Sequence, residues 1–491
     1  MKKLLFALSE IAALALSAAD ITSVLVRQQW PWSTDIKVEY FVSANEGAFD
    51  LQLEAYDGAV KLDSSEIDKA IIGERYAITG TGVKTFFIDP VKAFGTGTIA
   101  LADFKIKLTA VDSPISRTEA LYRIYDLDAG TCKDLSQAEI MNHPETYGSY
   151  ETKYANIGDG FNTTLDEVFI WTGVTNDIVY KTSKLVMRKI HAKDVVWQCG
   201  SDQSPTGVNV SNNDVGWVKL TENYYIGVYP ITQAQYAKII ATIVSDTIPA
   251  YPSEFSGRED SDVRPVEQVP LAGMYAALCE SQCYPDYASA NHKGIVHNDE
   301  YVYWPTNSYL HEVSKNRTLG LMRQKFNVEF DLPTEAQWEF ACRAGAAGGL
   351  YSGLSETYSH AQEIAWIPEY ANNETHPVGL KKPNAFGLYD MLGNVFEYTR
   401  NRAVTSDGKV VSGAVSGTGL SQDDPAVDPV GPTATKSYVN GVLRGGCWMS
   451  PYAMSHSRTF VRVTTYPSNM AKSVIGFRVV TPEGARWSPH E

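Results

Sequence analysis

The chain has 491 residues, 44% hydrophobic and 20% charged, with a formal net charge of -15. That length exceeds what a single hydrophobic core usually serves, so two or three domains are expected. The acidic balance argues against nucleic-acid backbones and anionic membrane surfaces as partners, because both are bound through clustered Lys and Arg.

Residues 1–19 have the pattern of a secretory signal. Lys2 and Lys3 precede an apolar run from Leu4 to Leu16, and Ser17-Ala18-Ala19 offers small residues for cleavage. Glu10 interrupts the run, and a short N-terminal core helix is the alternative. No other segment has the ~20 apolar residues needed to cross a bilayer. Export to a periplasmic, cell-surface or secreted location is the expectation. Six cysteines in this length do not make a disulfide scaffold.

Residues 20–112 alternate with a period of two. Phe49, Leu51, Leu53 and Ala55 interleave with Asp50, Gln52 and Glu54, and Phe104, Ile106, Leu108 and Ala110 interleave with Asp103, Lys105, Lys107 and Thr109. Alternation of this kind predicts strands with one wet face, and glycine punctuation suits a small antiparallel sandwich. Residues 113–182 mix strand-like pieces with polar stretches and read as a connecting region, either extending the sandwich or leading into the next domain. Further on, Thr232 with Gln235 and Thr334 with Gln337 each have capping-box spacing, so helices are expected to start there. A helix is also expected through Met274, and the Gly/Ser/Thr/Asp-rich stretch 402–440 reads as an exposed loop.

Four blocks then set the character of the C-terminal part. They are Leu332-Pro333-Thr334-Glu335-Ala336-Gln337-Trp338-Glu339, Asn384 through Glu397 (NAFGLYDMLGNVFE), Arg444-Gly445-Gly446, and Gly476-Phe477-Arg478. In this order they resemble the formylglycine-generating enzyme, or sulfatase-modifying factor, domain, a variant of the C-type lectin fold. Leu185 to Ile190 with Cys199-Gly200-Ser201, and Asn223 to Thr232, are similar to that family's opening elements. The resemblance implies an α+β, C-type-lectin-like domain over 183–482, preceded by the all-β sandwich-like domain. It treats 284–312 and 402–440 as insertions.

The family's oxidase activity uses two cysteines five positions apart, shortly after the Arg-Gly-Gly block, which bind Cu(I). The matching positions are Ser450 and Ser455. A neutral hydroxyl is a hard ligand and does not replace a thiolate toward Cu(I), so the resemblance implies a domain without copper. The nonheme-iron branch with the same fold, a sulfoxide synthase type, needs a His-rich N-terminal bundle. Here no histidine precedes His143.

For calcium, the matching positions are Asp390, Gly393, Val395 and Glu397, two carboxylates with two main-chain carbonyls. The alternative is that Asp390 caps a turn and Glu397 pairs with an arginine such as Arg444. Arg444 and Arg478 are expected to tie the final strands to the Glu397 loop. Cys279 and Cys283, with His292 and His297 behind them, read as core thiols or a local disulfide rather than a zinc set.

The stretch holding Trp448, Tyr452, His456, Arg458, Phe460, Arg462 and Tyr466 is equivalent to the family's substrate groove. Mixed aromatics and arginines on a rigid scaffold suit a peptide or glycan ligand, although a buried aromatic core has the same composition. The expected function is an exported, non-catalytic binding protein. Its rivals are a metal-dependent oxidase and a lectin-fold binder diversified by retroelements in this same stretch.

Overall fold

The structure is a computed structural model describing residues 19–28, 33–95, 104–155, 166–201, 215–244, 248–275, 296–297, 300–301, 313, 316–406, 409–411, 421–429, 439–450, 456–463 and 471–484. The signal-like segment before Ala19 lies outside these residues, as do Cys279, Cys283 and His292. Among the described residues no helix is long and apolar enough to cross a membrane.

The chain divides into two compact units. Residues 1–119 and 136–148 form the first, and residues 120–135 and 149–491 the second. The first has the strands β1 (Ala19–Gln28), β2 (Ile36–Asn45), β3 (Phe49–Asp57), β4 (Val60–Lys61), β5 (Ile71–Ile72), β6 (Gly82–Ile88) and β7 (Phe104–Asp112). They form two antiparallel sheets, ordered β1-β2-β6-β5 and β4-β3-β7.

Phe49, Leu51, Leu53 and Ala55 enclose a core with Val38, Tyr40, Val42, Phe86 and Ile88, as the alternation predicts. Asp50 departs from it. Predicted on the wet face, it is buried because its carboxylate accepts the Ala77 amide (2.9 Å) and pairs with the Arg117 guanidinium. Asn142 ties the later segment to this unit. Its side-chain oxygen accepts the Arg75 and Tyr76 amides at 2.9 Å each.

Residues 113–182 are therefore not a free-standing connection. Residues 136–148 complete the first unit, and 120–135 and 149–182 belong to the second. Its strands begin with β8 (Ala120–Asp126), β9 (Thr131–Ser136), β10 (Glu151–Ala155), β11 (Asp166–Ile170), β12 (Lys184–Ile190), β13 (Val196–Cys199), β14 (Gly216–Lys219) and β15 (Tyr224–Gly227). There follow β16 (Val296–His297), β17 (Glu300–Tyr301), β18 (Phe396–Ser406), β19 (Lys409–Val411), β20 (Ala426–Val427), β21 (Val439–Arg444), β22 (Arg462–Val463), β23 (Ile475–Gly476) and β24 (Val480–Pro482).

A five-stranded sheet, β24-β15-β12-β8-β9, joins the beginning of this unit to its end. A second sheet runs β19-β18-β21-β22, with β23 parallel to β18. The stretch 402–440 is thus only partly loop. It carries the end of β18, β19 and β20, the last of which pairs with β14.

Helices Gln233–Ile239 and Glu335–Arg343 start at complete capping boxes on Thr232 and Thr334. A third, Leu271–Tyr275, contains Met274 as expected, whereas Thr318–Phe326 has no capping signal and was not anticipated. Glu335 and Glu339 stand one turn apart on one helix face, fully buried. Glu335 accepts Arg462 Nε at 2.7 Å. Glu339 accepts the Gly200 amide (2.8 Å) and Arg343 Nε (2.9 Å), and it pairs with Arg444. Arg444 also donates to the carbonyls of Phe460 (2.9 Å) and Thr459 (3.2 Å). Although Arg444 lies opposite Glu397 in the β18–β21 register, its carboxylate partners are Glu339 and, at 3.9 Å, Glu335.

The network holds the Glu339 carboxyl down at about 2, with the Arg343, Arg444 and Arg462 charges overcoming its burial. Its folded value is lowered, so its stabilisation is complete above its ordinary 4.5 and drains away as pH falls toward 2. Glu339→Gln strands buried guanidinium charge and should cost the second unit about 3–5 kcal/mol. It should also flatten the acid limb of a urea-unfolding pH series. A loss below ~1 kcal/mol at pH 7 would show that the network contributes little.

Candidate functional site

The segment 384–395 is irregular backbone leading into β18, so its shape depends on side chains that satisfy main-chain groups. Asn384 Oδ1 accepts the amides of Phe386 and Leu388 at 3.0 Å, while its Nδ2 donates to the carbonyls of Ala341 (2.6 Å) and Cys342 (3.1 Å). Asn394 exchanges two 3.0 Å bonds with the His376 backbone. Gly393 sits at a φ of 76°, and a Cβ there would meet the Trp366 carbonyl at 2.5 Å, so no other residue fits.

The four calcium candidates lie together in this segment, and each carboxylate is already occupied. Glu397 Oε2 accepts Trp338 Nε1 and Arg478 Nε, and Oε1 accepts a second Arg478 nitrogen, all at 2.7 Å. Asp390 accepts the Gly379 amide (2.7 Å) and Asn394 Nδ2 (3.3 Å), from a left-handed φ of 54°. Burial raises the Asp390 carboxyl, a tendency only partly opposed by these bonds and by Arg478 and Lys181. A calcium ion is favoured by ionised oxygens turned toward a common centre. One of these carboxylates is engaged by two nitrogens of an arginine, and the other by a main-chain amide and the Asn394 side chain. The residues as arranged do not fit the ion. Among the described residues no three His, Cys, Asp or Glu side chains gather as metal ligands.

The second candidate stretch follows the Arg-Gly-Gly block. Gly445 has a φ of 91°, and a Cβ there would approach the Met391 carbonyl at 2.7 Å. Cys447 is buried, which pushes its thiol up to about 12. Trp448 is also buried. Its indole N–H donates to the Ser473 carbonyl (3.0 Å), and the Phe255 ring meets it edge-on at 5.4 Å.

Ser450, at the first position the resemblance gives to a copper thiol, lies 2.6 Å from His456 Nδ1. Burial pulls His456 down to about 4. The ring is therefore neutral at pH 7, and its Nδ1 shares a hydrogen bond with the Ser450 hydroxyl. Phe396 packs 5.9 Å from the same imidazole.

Arg458 pairs with Glu356 at 2.6 Å. Phe460 and Arg462 are buried, the latter bound to Glu335. Met449 is 53% exposed. Tyr452, Ser455 and Tyr466 lie outside the described residues. The structure thus packs Trp448 against Phe255 and His456 against Phe396, and binds Arg462 into the Glu335–Glu339 network.

Sequence reading missed Glu267, a fully buried carboxylate whose amide-bonded partners are Glu254 and Phe255. Pro265-Val266-Glu267 offered no signal beyond a polar residue leading into a helix.

His456 provides a pH test. Its folded value is lowered, so its contribution is complete above its ordinary 6.5 and is lost as pH falls toward 4. Wild-type stability should decline by up to ~1.4 kcal/mol per pH unit over that window relative to His456→Gln, measured by urea unfolding. Parallel pH profiles for the two proteins would contradict a buried neutral ring.

A family model described as the sulfatase-modifying factor enzyme 1-like domain matches residues 194–482. Formylglycine-generating enzyme of Mus musculus is 30% identical over 158 residues, covering 30% of this chain and 38% of that protein. Chaperone protein LppX of Paenibacillus barcinonensis is 30% identical over 195 residues, covering 36% of this chain and 61% of that one. The chain thus spans less than two thirds of the length of these curated relatives. Among solved structures, Treponema denticola variable protein 1 aligns with 61% of this chain and 95% of its own, at 23% identity and a TM-score of 0.40. The family match covers more than half of the sequence and takes in the Thr334 helix, the 384–397 loop and the last strands. The chain belongs to the sulfatase-modifying factor enzyme 1-like domain family.

Proposed function

We propose that this protein is an exported, non-catalytic member of its family that binds a peptide or glycan beside the stretch 448–466. One observation carries the reading. Where the resemblance calls for the first copper thiolate there is a hydroxyl, Ser450, engaged by a neutral imidazole at 2.6 Å. Cu(I) requires soft anionic sulfur. The nearest thiol in sequence, Cys447, is buried and protonated at neutral pH. Trp448, His456, Phe460 and Arg462 serve as the rigid backing of the ligand surface. Met449 and Arg458, with Tyr452 and Tyr466 as further candidates, supply its contacts. Rigid backing of this kind lowers the ordering cost of binding.

In the same reading Arg478, rather than calcium, holds the 390–397 loop through Glu397. Chelation with EDTA should then leave the melting temperature within about 2 °C, because a tightly bound ion present at many times its Kd would contribute several kcal/mol. A fall of several degrees would restore calcium to the loop.

Glycan and peptide arrays, probed with and without chelator, test the binding itself. Arg458→Ala should weaken any hit by about tenfold or more, as expected for a charged contact at the site. Copper titration tests the chemistry. The wild-type chain should not take up Cu(I) stoichiometrically, whereas the double variant Ser450→Cys/Ser455→Cys should. Oxygen uptake with turnover of a cysteine-containing peptide by the wild type would replace the binding reading with an oxidase.

A further inference from the structure

One ammonium in the second unit is buried without a counterion. Lys181, on the short helix Val179–Thr182, is only 9% exposed. Among the described residues its Nζ has no hydrogen-bond or ion-pair partner, and it rests over the Tyr229 ring, 5.7 Å from the centroid. That ring is fixed by its neighbours. Tyr389 packs against it at 5.3 Å, and a Cβ at Gly379, whose φ is 75°, would meet it at 2.7 Å. The Tyr229 hydroxyl is also buried, and it too has no hydrogen-bond partner. A cation and a hydroxyl withdrawn from water side by side are costly unless a further group satisfies them.

Asp390 does not fill that role. Its charge reaches Lys181 from beyond ion-pair distance, while its oxygens accept the Gly379 amide (2.7 Å) and Asn394 Nδ2 (3.3 Å). Burial outweighs it and pulls the Lys181 amine down from its ordinary 10.5. Two exposed apolar residues flank the pair in the chain. Ile178, 62% exposed, lies one helical turn before Lys181, and Leu380, 58% exposed, follows Gly379.

We propose that Lys181 and Tyr229 form a second binding site, separate in sequence from the stretch 448–466, for a carboxylate carried by an apolar group, as at the C-terminus of a peptide ending in a leucine-like residue. The ammonium supplies the countercharge and the phenol a further donor. A single cation suits a monoanion rather than a phosphate dianion. Ile178 and Leu380 cover the apolar part of the ligand. The site does not rest on the binding surface proposed above.

N-acetyl-leucine, its amide and acetate are the probes, with binding to the full chain followed by saturation-transfer NMR. N-acetyl-leucine should saturate the site at a Kd of about 1 mM, in keeping with a ligand of about a dozen non-hydrogen atoms. The amide lacks the charge and acetate lacks the apolar part, so each should bind at least tenfold more weakly. Lys181→Met should weaken N-acetyl-leucine tenfold or more, and Tyr229→Phe about threefold. Without ligand, Lys181→Met should raise the melting temperature by ~2 °C or more, because it removes an uncompensated buried charge. A fall instead would make Lys181 the counterion of Asp390 and overturn the proposal. Absence of saturable binding, an amide that binds as tightly as the acid, or undiminished affinity in a folded Lys181→Met would overturn it equally. Acetate binding as tightly as N-acetyl-leucine would overturn the apolar half and leave a site for any small free carboxylate. Should the variants fail to fold, the acid and amide on the wild type decide alone. Loss of array hits at 448–466 would leave these results standing.

Discussion

A single buried ion pair joins the parts of the second unit. Arg478 meets Glu397 with two nitrogens and also donates to the carbonyls of Gly227 (2.8 Å) and Tyr389 (2.9 Å). One guanidinium thereby gathers β15, the irregular 384–395 segment, the start of β18 and the last strands. Arginine is suited to this because its planar fork offers several fixed donors to carboxylate and carbonyl acceptors at once. Both side chains are fully buried, so the pair stabilises only as a complete set. The 390–397 loop is shaped from within the protein, and the Ser450–His456 pair is presented on that prepared frame.

A second buried network, built on Glu335 and Glu339, stands beneath the Arg-Gly-Gly block. The two carboxylates are one helical turn apart because the Thr334 capping box fixes where the helix begins. Through Arg444 and Arg462 they set the course of β21 and β22. Ser450, at the first position where the resemblance calls for copper sulfur, follows closely on the Arg-Gly-Gly block that this network holds. A change of function at Ser450 therefore requires no change of fold.

Much of this was legible in the sequence for physical reasons. Capping boxes are local, so Thr232 and Thr334 announced their helices correctly. Period-two alternation reports one buried face, so Phe49 to Ala55 were placed inward. Asp50 was misplaced because alternation carries no information about a distant guanidinium such as Arg117. The Thr318–Phe326 helix was missed because its N-cap position, Arg317, makes no side-chain cap bond. Arginine partners were only half legible. Arg478 could be assigned to Glu397 from the motifs, whereas Arg444 faces Glu397 in register yet turns to Glu339. Glu267 was invisible because its burial depends on a turn a dozen residues upstream, and nothing in Pro265-Val266-Glu267 marks that meeting.

The interleaving of the two units has a consequence for how the polypeptide is made. The sandwich needs Asn142 to satisfy the Arg75 and Tyr76 amides, yet residues 120–135 between them belong to the other unit. On the ribosome the first unit cannot finish until residue 148 has emerged. By then β8 and β9 are already committed to a sheet whose remaining strands are still unsynthesised. Neither unit can be excised by a single cut, because each is made of two separate segments of the chain.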